Sequence, residues 1–454
     1  MSTLEYRDSP HRAPQETLYG YCWCRSATNQ VPSLKRACCD ALVQDASVLL
    51  RALRSLPVSF IPDLLARAVE DGRDRAAQLL VSYWPGSSLD LPAVIGGTCP
   101  IIHHPNRVVA TTAIVRAFVE LSLKGDRDDL CSLNVTGFQV GPELLEFVER
   151  KMAVFSKNES WTSSRQLLCD FFIGEPHSFD VFTSLLQHRL SKKALLFEIR
   201  NLEVEGVGET RLLQLLEMLD SDALTGLSVA YNSLQNQGLL RISEQLRRFR
   251  GLVALDLSSN GVRRGDVRHY DYLSDTIRVM PQLRRLNIKS CRIGGYLNTL
   301  LARCSREITH LDLSACGLRQ QDLRVIGHFR SLTSLLLSDN NFANMIAELI
   351  SVLLVLEHLQ VMHLSNCELQ VNGFNALWDS LRVSCRNLRT LDLTWNKLSE
   401  DNLSVIVHDL GNGSLPDLVI LLLPVPTNPS PAYFDLIKRL EAVNPHLKVR
   451  PDLV

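Results

Sequence analysis

Apolar positions recur in one phrase through the second half of the chain, Leu-x-x-Leu-x-Leu-x-x-Asn/Cys-x-Leu, with other apolar residues replacing some leucines. Clear copies begin at Leu224, Leu252, Leu283, Ile308, Leu332, Leu359 and Leu388. The Asn or Cys position is filled by Asn232, Asn260, Cys291, Cys316, Asn340, Cys367 and Asn396, at steps of 28, 31, 25, 24, 27 and 29 by subtraction. The Leu-x-Leu alternation predicts a short strand with one buried face, and stretches between copies, such as 238–249 and 343–356, have helical periodicity.

One strand and one helix per step predict an α/β leucine-rich-repeat solenoid, a horseshoe of the ribonuclease-inhibitor-like type. Strands should line its concave face and helices its outer face, and each Asn or Cys should bond backbone groups of the neighbouring coil. We assign residues 224–426 to regular repeats and 86–223 to irregular repeats and insertion loops. Leu130–Val140 is a degenerate copy, because Phe138 occupies the ladder position and cannot form the amide hydrogen bonds.

Several segments depart from this period. Residues 1–31 lack periodic hydrophobicity and are predicted to be disordered. Phe155–Arg165 is expected to be an insertion loop, and Val262–Asp275 an insertion that projects from the rim. Leu415–Pro426 should form the final strand, and residues 427–454 a C-terminal helical cap that covers the last coil.

Composition and short motifs argue against several classes of function. A formal net charge of -1 gives no basic footprint for nucleic acid, and no apolar run reaches the roughly 18 residues of a spanning helix. The N-terminal residues contain no apolar core of a signal peptide, so the twelve cysteines are interpreted as reduced thiols of a cytoplasmic, possibly nuclear protein. Cys22-Trp23-Cys24, Cys38-Cys39 and His103-His104 lack the spacing of a metal site, and no catalytic motif or cofactor loop is present, so we predict a non-enzymatic protein without metal or cofactor.

The helical region 32–85 contains two short apolar patterns. Ser33 is a candidate N-cap, and Leu34, Cys38 and Leu42 follow on one narrow helix face. This face either packs against the first coil as a cap or remains exposed to bind a partner, and its spelling resembles a BC box, the element that recruits elongin B and C.

The second pattern resembles a cullin-2 box, an apolar-Pro pair followed by spaced apolar residues. Two registers fit the pattern, one built on Leu56-Pro57 and one on Ile61-Pro62. The candidate cullin-binding residues across both registers are Leu56, Pro57, Phe60, Ile61, Pro62, Leu64 and Leu65.

Ser55–Pro85 resembles the N-terminal signature of the PRAME family (preferentially expressed antigen in melanoma). The resemblance rests on Leu56-Pro57, Ile61-Pro62, Asp71-Gly72-Arg73 and Trp84-Pro85. It implies a substrate-recognition adaptor of a cullin-2 RING ubiquitin ligase that binds elongin B/C and cullin-2, with transcriptional or innate-signalling roles also known in the family. The alternative is a non-enzymatic scaffold that inhibits a signalling complex, such as restraint of Toll-like receptor/NF-kappa-B signalling through the I-kappa-B kinase.

The repeats also predict a surface for a protein substrate or signalling kinase. The residue between the paired leucines should be exposed on the concave face, and several copies read Leu-Asp-Leu. The candidate substrate-binding residues are Asp256, Asn287, Asp312, Leu336, His363 and Asp392. The aspartates either form an acidic stripe for a basic ligand or are simply polar because the position is exposed in any such repeat. No direct contact with nucleic acid or membrane is expected.

Overall fold

The structure is a computed structural model, and it describes residues 33–95, 105–124, 130–138, 140, 143–155, 165–191, 195–261, 267–424, 430–443 and 447–451. The predicted disorder of residues 1–31, the Cys22-Trp23-Cys24 and His103-His104 pairs, and most of the predicted loop at 155–165 lie outside these residues.

The described strands form one parallel sheet of thirteen strands whose spatial order is their order in the chain. They are β1 (Ser88–Asp90), β2 (Ser132–Asn134), β3 (Arg165–Ile173), β4 (Leu195–Val204), β5 (Gly226–Ser228), β6 (Ala254–Asp256), β7 (Arg285–Asn287), β8 (His310–Asp312), β9 (Ser334–Leu336), β10 (Val361–His363), β11 (Thr390–Asp392), β12 (Ile420–Leu423) and β13 (Lys448–Pro451). A sheet that adds one strand per repeat without crossing over is a solenoid, and the predicted leucine-rich-repeat architecture is confirmed.

Helices connect the strands and pack side by side on one face of the sheet. The N-terminal helices are α1 (Leu34–Gln44), α2 (Ala46–Ala52), α3 (Ile61–Glu70) and α4 (Asp74–Ser82), with a 3₁₀ turn at Val58–Phe60. The repeat helices are α5 (Leu91–Val94), α6 (Pro105–Lys124), α7 (Glu143–Phe155), α8 (Pro176–Ser191), α9 (Glu209–Met218), α10 (Gln235–Leu246), α11 (Val267–Arg278), α12 (Leu297–Leu301), α13 (Gln320–Ile326), α14 (Ile346–Leu353), α15 (Val371–Ser384), α16 (Glu400–Gly411) and α17 (Pro431–Val443).

The core lies between the sheet and the helices, where the phrase leucines meet the apolar stripe of each helix. Leu255 and Leu257 of the second clear copy, and Leu239 and Ile242 of α10, the helix that precedes it, are all buried. A single coil cannot cover its own leucines, so each repeat depends on the repeats beside it.

The Asn positions form the expected ladder of hydrogen bonds. Asn260 donates from Nδ2 to the carbonyl oxygens of Val229 (2.9 Å) in the preceding coil and of Leu257 (2.9 Å) and Ser258 (3.2 Å) in its own. Its Oδ1 accepts from the backbone N–H of Asn232 at 2.9 Å. Where cysteine replaces asparagine the contact is a single thiol donor, as in Cys316 Sγ to the Ile288 carbonyl at 3.1 Å.

Two expectations about the repeats were wrong. The segment 262–275 was expected to project as an insertion, but its described part, from Val267, is α11, which buries Tyr270, Leu273 and Ile277 against the core. The strand at 420–423 was expected to be the last, but β13 pairs with it in parallel beyond α17. Both segments are polar and lack the leucine spacing of the repeat, so the sequence pattern did not reveal that they would fold as part of the solenoid.

Candidate protein-binding surfaces

The first candidate surface is the outer face of α1. Ser33 caps this helix, since its Oγ accepts the backbone N–H of Arg36 at 3.2 Å. The helix packs on the N-terminal core through Cys39 and Val43, which are buried. The predicted partner stripe lies beside this buried face, about 100° around the helix: Leu34 is 82% exposed, Cys38 is exposed, and Leu42 is partly buried against the core.

The cullin-box residues divide into two groups. Ile61, Leu64 and Leu65 are buried on the inner face of α3, so their assignment as partner contacts was wrong: they pack the core of the N-terminal helices. Leu56, Phe60 and Pro62 are partly buried, and Pro57 is exposed. The amphipathic period of α3 identifies its apolar stripe, but the same stripe serves a core or a partner, and only the packing of α1 and α4 on α3 shows which.

The BC-box-like helix α1 and the cullin-box-like segment lie next to each other. Lys35 of α1 forms a salt bridge with Asp63 of α3 (Nζ to Oδ2, 2.5 Å) and lies 5.2 Å from the centre of the Phe60 ring. This bridge is half-exposed, so its contribution to stability is small. Together with the Lys35–Phe60 contact, it places the start of α1 next to the 3₁₀ turn.

The second candidate surface is the row of residues on the sheet face. The register places one residue of each strand beside its equivalent in the next strand. All six predicted substrate-binding residues therefore lie in one continuous row, in the order Asp256, Asn287, Asp312, Leu336, His363 and Asp392.

The aspartates of this row have a structural role that the sequence did not reveal. Asp256 Oδ1 accepts the backbone N–H of Ser258 at 2.8 Å, Asp312 Oδ1 that of Ser314 at 2.9 Å, and Asp392 Oδ1 that of Thr394 at 2.9 Å. Each carboxylate thus accepts a hydrogen bond from the backbone two residues further on, and so forms an Asx turn at the end of its strand. The Leu-Asp-Leu repetition is accounted for by this turn without a basic ligand.

Burial reduces the number of residues in this row that a substrate could contact. Asp256 is 0% exposed and accepts a hydrogen bond from Nδ2 of Asn287 at 3.0 Å, so its assignment as a ligand contact was wrong. Burial raises the pKa of Asp256 to about 7. Asn287 and Asp392 are also buried, and both are withdrawn as direct contacts. Asp312, Leu336 and His363 stay partly accessible, in three adjacent strands.

Histidines on the same face are held neutral. Burial, with the charge of Arg285, lowers the pKa of His310 to about 4. Burial also lowers the pKa of His363, against the attraction of Asp392, whose Oδ2 lies 4.0 Å from its Nδ1. The row near β8–β10 therefore offers a neutral imidazole beside Leu336. Among the described residues no three His, Cys, Asp or Glu side chains are placed to hold a metal ion. None of the described helices has the length and apolar character to cross a membrane.

Comparisons with known proteins agree with this architecture. The family described as Leucine Rich repeat matches residues 384–401. Leucine-rich repeat-containing protein 14 of Xenopus laevis is 25% identical over 87% of this chain and 88% of its own length. That of Mus musculus is 30% identical over 46% of this chain and 44% of its own length. Oogenesin-2 of Mus musculus is 21% identical over 87% of this chain and 85% of its own length.

The chain is a homologue of PRAME-family proteins. The N-terminal resemblance seen in Ser55–Pro85 thus extends, at modest identity, over most of the chain. Among solved structures, an internalin of Listeria monocytogenes is 14% identical over 68% of this chain and 94% of its own, with a TM-score of 0.34. Repeats and homology together support a leucine-rich-repeat scaffold that binds protein.

Two exposed aromatic residues on this PRAME-family homologue were missed at the sequence level. Trp395 is 63% exposed and Tyr231 is half-exposed, and each directly precedes a ladder asparagine with a positive φ, 58° and 54°. The residue before the ladder position has a positive φ in every regular repeat: Tyr231, Ser259, Ser290, Ala315, Asp339, Asn366 and Trp395. The available sequence signal was an aromatic residue directly before a ladder asparagine, as in Tyr231-Asn232 and Trp395-Asn396.

Proposed function

We propose that this PRAME-family homologue is a substrate-recognition adaptor of a cullin-2 RING ubiquitin ligase. In this role elongin B/C binds the outer face of α1, cullin-2 binds the adjoining Pro57–Phe60 segment, and the solenoid holds the protein substrate. The adaptor performs no chemistry. It raises the effective concentration of the substrate near the ligase and restricts its orientation.

The observation that carries the proposal is the orientation of α1. A helix whose only role is to cap the solenoid buries its apolar stripe, whereas α1 buries Cys39 and Val43 and leaves Leu34 and Cys38 in water. Leu34, 82% exposed, and Val58 of the adjoining 3₁₀ turn, 57% exposed, are apolar side chains that a partner could cover. A leucine with a small neighbour one turn away suits insertion into a partner's pocket, since the cysteine lets the partner approach closely.

The boundary between the two patterns supports a shared docking region. Val58 is exposed beside Pro57, and the partly buried Phe60 stacks under Lys35 of α1. With Ile61, Leu64 and Leu65 in the core, the cullin contact reduces to Leu56, Pro57, Val58, Phe60 and Pro62. This is a smaller surface than the sequence suggested, so we expect cullin-2 to bind strongly only after elongin B/C is in place.

For the substrate we propose the accessible part of the sheet face. Asp312, Leu336 and His363 supply one carboxylate, one apolar side chain and one neutral imidazole in adjacent strands. Trp395 follows β11, two strands beyond Leu336, and adds an exposed indole, a side chain that often dominates binding energy at protein interfaces.

The test is a pull-down of purified elongin B/C, with and without cullin-2, on the full chain. The double variant Leu34→Ser/Cys38→Phe removes the anchor and blocks its neighbour, and should abolish recovery. Val48→Ser is the matched control, because Val48 is an exposed apolar residue of α2 outside the pattern. Val43→Ser reports the cost of damaging the core instead, and should lower the melting temperature where the other variants do not.

Recovery by the wild type and by Val48→Ser, with loss in the double variant at an unchanged melting temperature, supports the adaptor. If the wild type recovers neither partner, the adaptor proposal fails. The chain is then a scaffold or inhibitor of a signalling complex such as the I-kappa-B kinase, and binding of that kinase through the sheet face is the next measurement.

A further inference from the structure

One rim of the solenoid is strongly basic although the whole chain is nearly neutral. Because all the strands are parallel, the connections from each helix to the next strand lie along the same rim. Six successive connections lead to β6–β11: 247–253, 279–284, 302–309, 327–333, 354–360 and 385–389. They contain neither lysine nor aspartate, and Glu307 and Glu357 are their acidic residues. Nine arginines lie there, here called the arginine rim: Arg247, Arg248, Arg250, Arg284, Arg303, Arg306, Arg330, Arg386 and Arg389.

The basic stretch has sharp limits. The connection before β5 carries Asp220 and Asp222 without a basic residue, and the connection before β12 carries Asp417. Charges of one sign that are gathered along one edge produce a local positive potential even when the net charge is near zero. The arginine rim therefore spans the middle of the array and stops at both sides.

Most of these guanidinium groups have no acidic partner within the described part of the chain. Arg303 pairs with Asp275 at 2.7 Å, and Arg248 and Arg284 donate to backbone carbonyls. Five others are exposed and form no ion pair with a described residue: Arg247, Arg250, Arg306, Arg330 and Arg386. Their charge is available to a ligand.

The rim contains a depression of about 350 Å³ between two neighbouring connections. It is lined by Arg306, Glu307, Gly327, His328, Arg330 and Ser331. Arg306 and Arg330 come from the connections before β8 and β9, so adjacent repeats present two unpaired guanidinium groups to one recess. Arginine donates two parallel N–H bonds to a carboxylate, a geometry that lysine lacks.

The rim also carries apolar side chains. Leu354, at the end of α14, is 55% exposed, and Val383, in the last turn of α15, is 57% exposed. These helices are neighbours, so both side chains lie at the same edge, near Arg386. The two phenylalanines of the connections, Phe249 and Phe329, are buried, so the described rim exposes no phenylalanine, tyrosine or tryptophan ring, and the exposed rings there are the smaller imidazoles of His328 and His358. Exposed aliphatic side chains beside the arginines favour a polypeptide over single-stranded nucleic acid.

We propose that the arginine rim is a docking surface for an acidic segment of a partner protein. Aspartate or glutamate side chains of that segment bind Arg306 and Arg330 in the recess, and an apolar side chain packs on Leu354 and Val383. The surface is separate from the outer face of α1 and from the sheet row, so it holds whether or not the chain recruits elongin B/C.

The test uses the full chain and a short fluorescein-labelled peptide in which glutamate alternates with leucine, read by fluorescence anisotropy. The wild type should bind it, with affinity falling as sodium chloride is added, and should not bind the same peptide with glutamine for glutamate. Arg306→Glu/Arg330→Glu should weaken binding by about tenfold or more. The matched control is Arg54→Glu/Arg75→Glu, the same charge change at exposed, unpaired arginines of the N-terminal helical region, in the turn after α2 and in α4, and it should stay within about twofold of the wild type.

The proposal is overturned if both double variants lose the same affinity, because net charge alone then explains binding. It is equally overturned if a single-stranded RNA oligonucleotide or phosphatidylserine vesicles bind the wild type more tightly than the peptide, or if the peptide does not bind. Should the charge reversal lower the melting temperature, Arg306→Gln/Arg330→Gln replaces it, with the same expected direction.

Discussion

Two regions of the sheet connect their coils in different ways. From β5 to β11 every strand is three residues long, and Asn or Cys side chains between the coils bond the backbone. In the β3–β4 pair the strands are nine and ten residues long and run together from Arg165 to Ile173, with a register shift between Cys169 and Phe171. The first region is regular because a buried Asn or Cys side chain repeats at one position of every coil, and the second has no such repeat.

The β3–β4 pair replaces the ladder amide by an aspartate and an aromatic cluster. Asp170 accepts hydrogen bonds from the backbone N–H groups of Gly137 (2.6 Å) and Asn201 (3.0 Å). Phe171 lies 5.5 Å from Phe182 and 5.2 Å from Phe197, measured between ring centres. A solenoid needs stabilising contacts between each coil and the next. Where the leucine-rich phrase is missing, long strands and packed aromatic rings provide these contacts.

The largest effect should come from the aromatic cluster. Phe197→Ala removes a fully buried ring and should lower the free energy of unfolding by about 4 kcal/mol, measured by urea denaturation. Leu196→Ala, on the opposite and half-exposed face of the same strand, should cost less than about 1 kcal/mol. Equal losses would mean that the ring does not join the coils.

The next largest loss of stability should come from removing a ladder amide. Asn260→Ala leaves three carbonyl oxygens and the N–H of Asn232 without that partner, and should cost about 3 kcal/mol. Asn260→Cys keeps a donor of the kind native at the next rung and should recover part of the loss. An equally large loss with cysteine would show that the thiol is only a space-filling substitute.

A cysteine rung should matter less than an asparagine rung. Cys316→Ala removes a small buried group and one thiol hydrogen bond to the Ile288 carbonyl, and should cost about 1 kcal/mol in urea denaturation. Burial raises the pKa of the Cys316 thiol well above its usual range, so it stays protonated and able to donate. A loss as large as that of Asn260→Ala would contradict this ranking.

The last prediction concerns the pH dependence of stability through Asp256, on the sheet face of the regular region. The unfolded chain releases this proton near pH ~4, while burial holds the pKa in the folded chain at about 7. The stability from this group is therefore full below pH ~4 and is lost as the pH rises toward about 7.

Asp256→Asn abolishes this titration, so the difference in unfolding free energy between variant and wild type should shift in favour of the variant between about pH 4 and about pH 7. Asp45→Asn is a useful contrast, because hydrogen bonds from Ser47 and Val48 lower the pKa of that carboxyl and reverse the sign of the dependence. A pH-independent difference at Asp256 would show that the carboxyl is solvated.

Local chemistry made much of the fold predictable. The Leu-x-Leu spacing and the Asn or Cys that comes after it specify a strand, a turn and the contact to the next coil, all within about a dozen residues. The row from Asp256 to Asp392 is a consequence of the same register. The sequence could not give the length of β3 and β4 or the helix at Val267–Arg278, because neither obeys the leucine spacing.

The candidate sites were less predictable. Leu34 and Leu64 are both leucines of an amphipathic helix stripe, but one is exposed and the other is buried. Asp256 and Asp312 occupy equivalent positions in two copies of the phrase, but the first is buried and the second is partly accessible. Periodicity tells which residues share a face and nothing about what covers that face.

The sequence by itself thus determined the solenoid, its repeat length and its ladder, because these depend on spacing along the chain and on contacts between identical phrases. The tertiary structure alone decided which apolar and acidic side chains remain available to a partner. It also brought the arginines of six separate connections onto one rim, since parallel stacking superimposes segments that lie far apart in the chain.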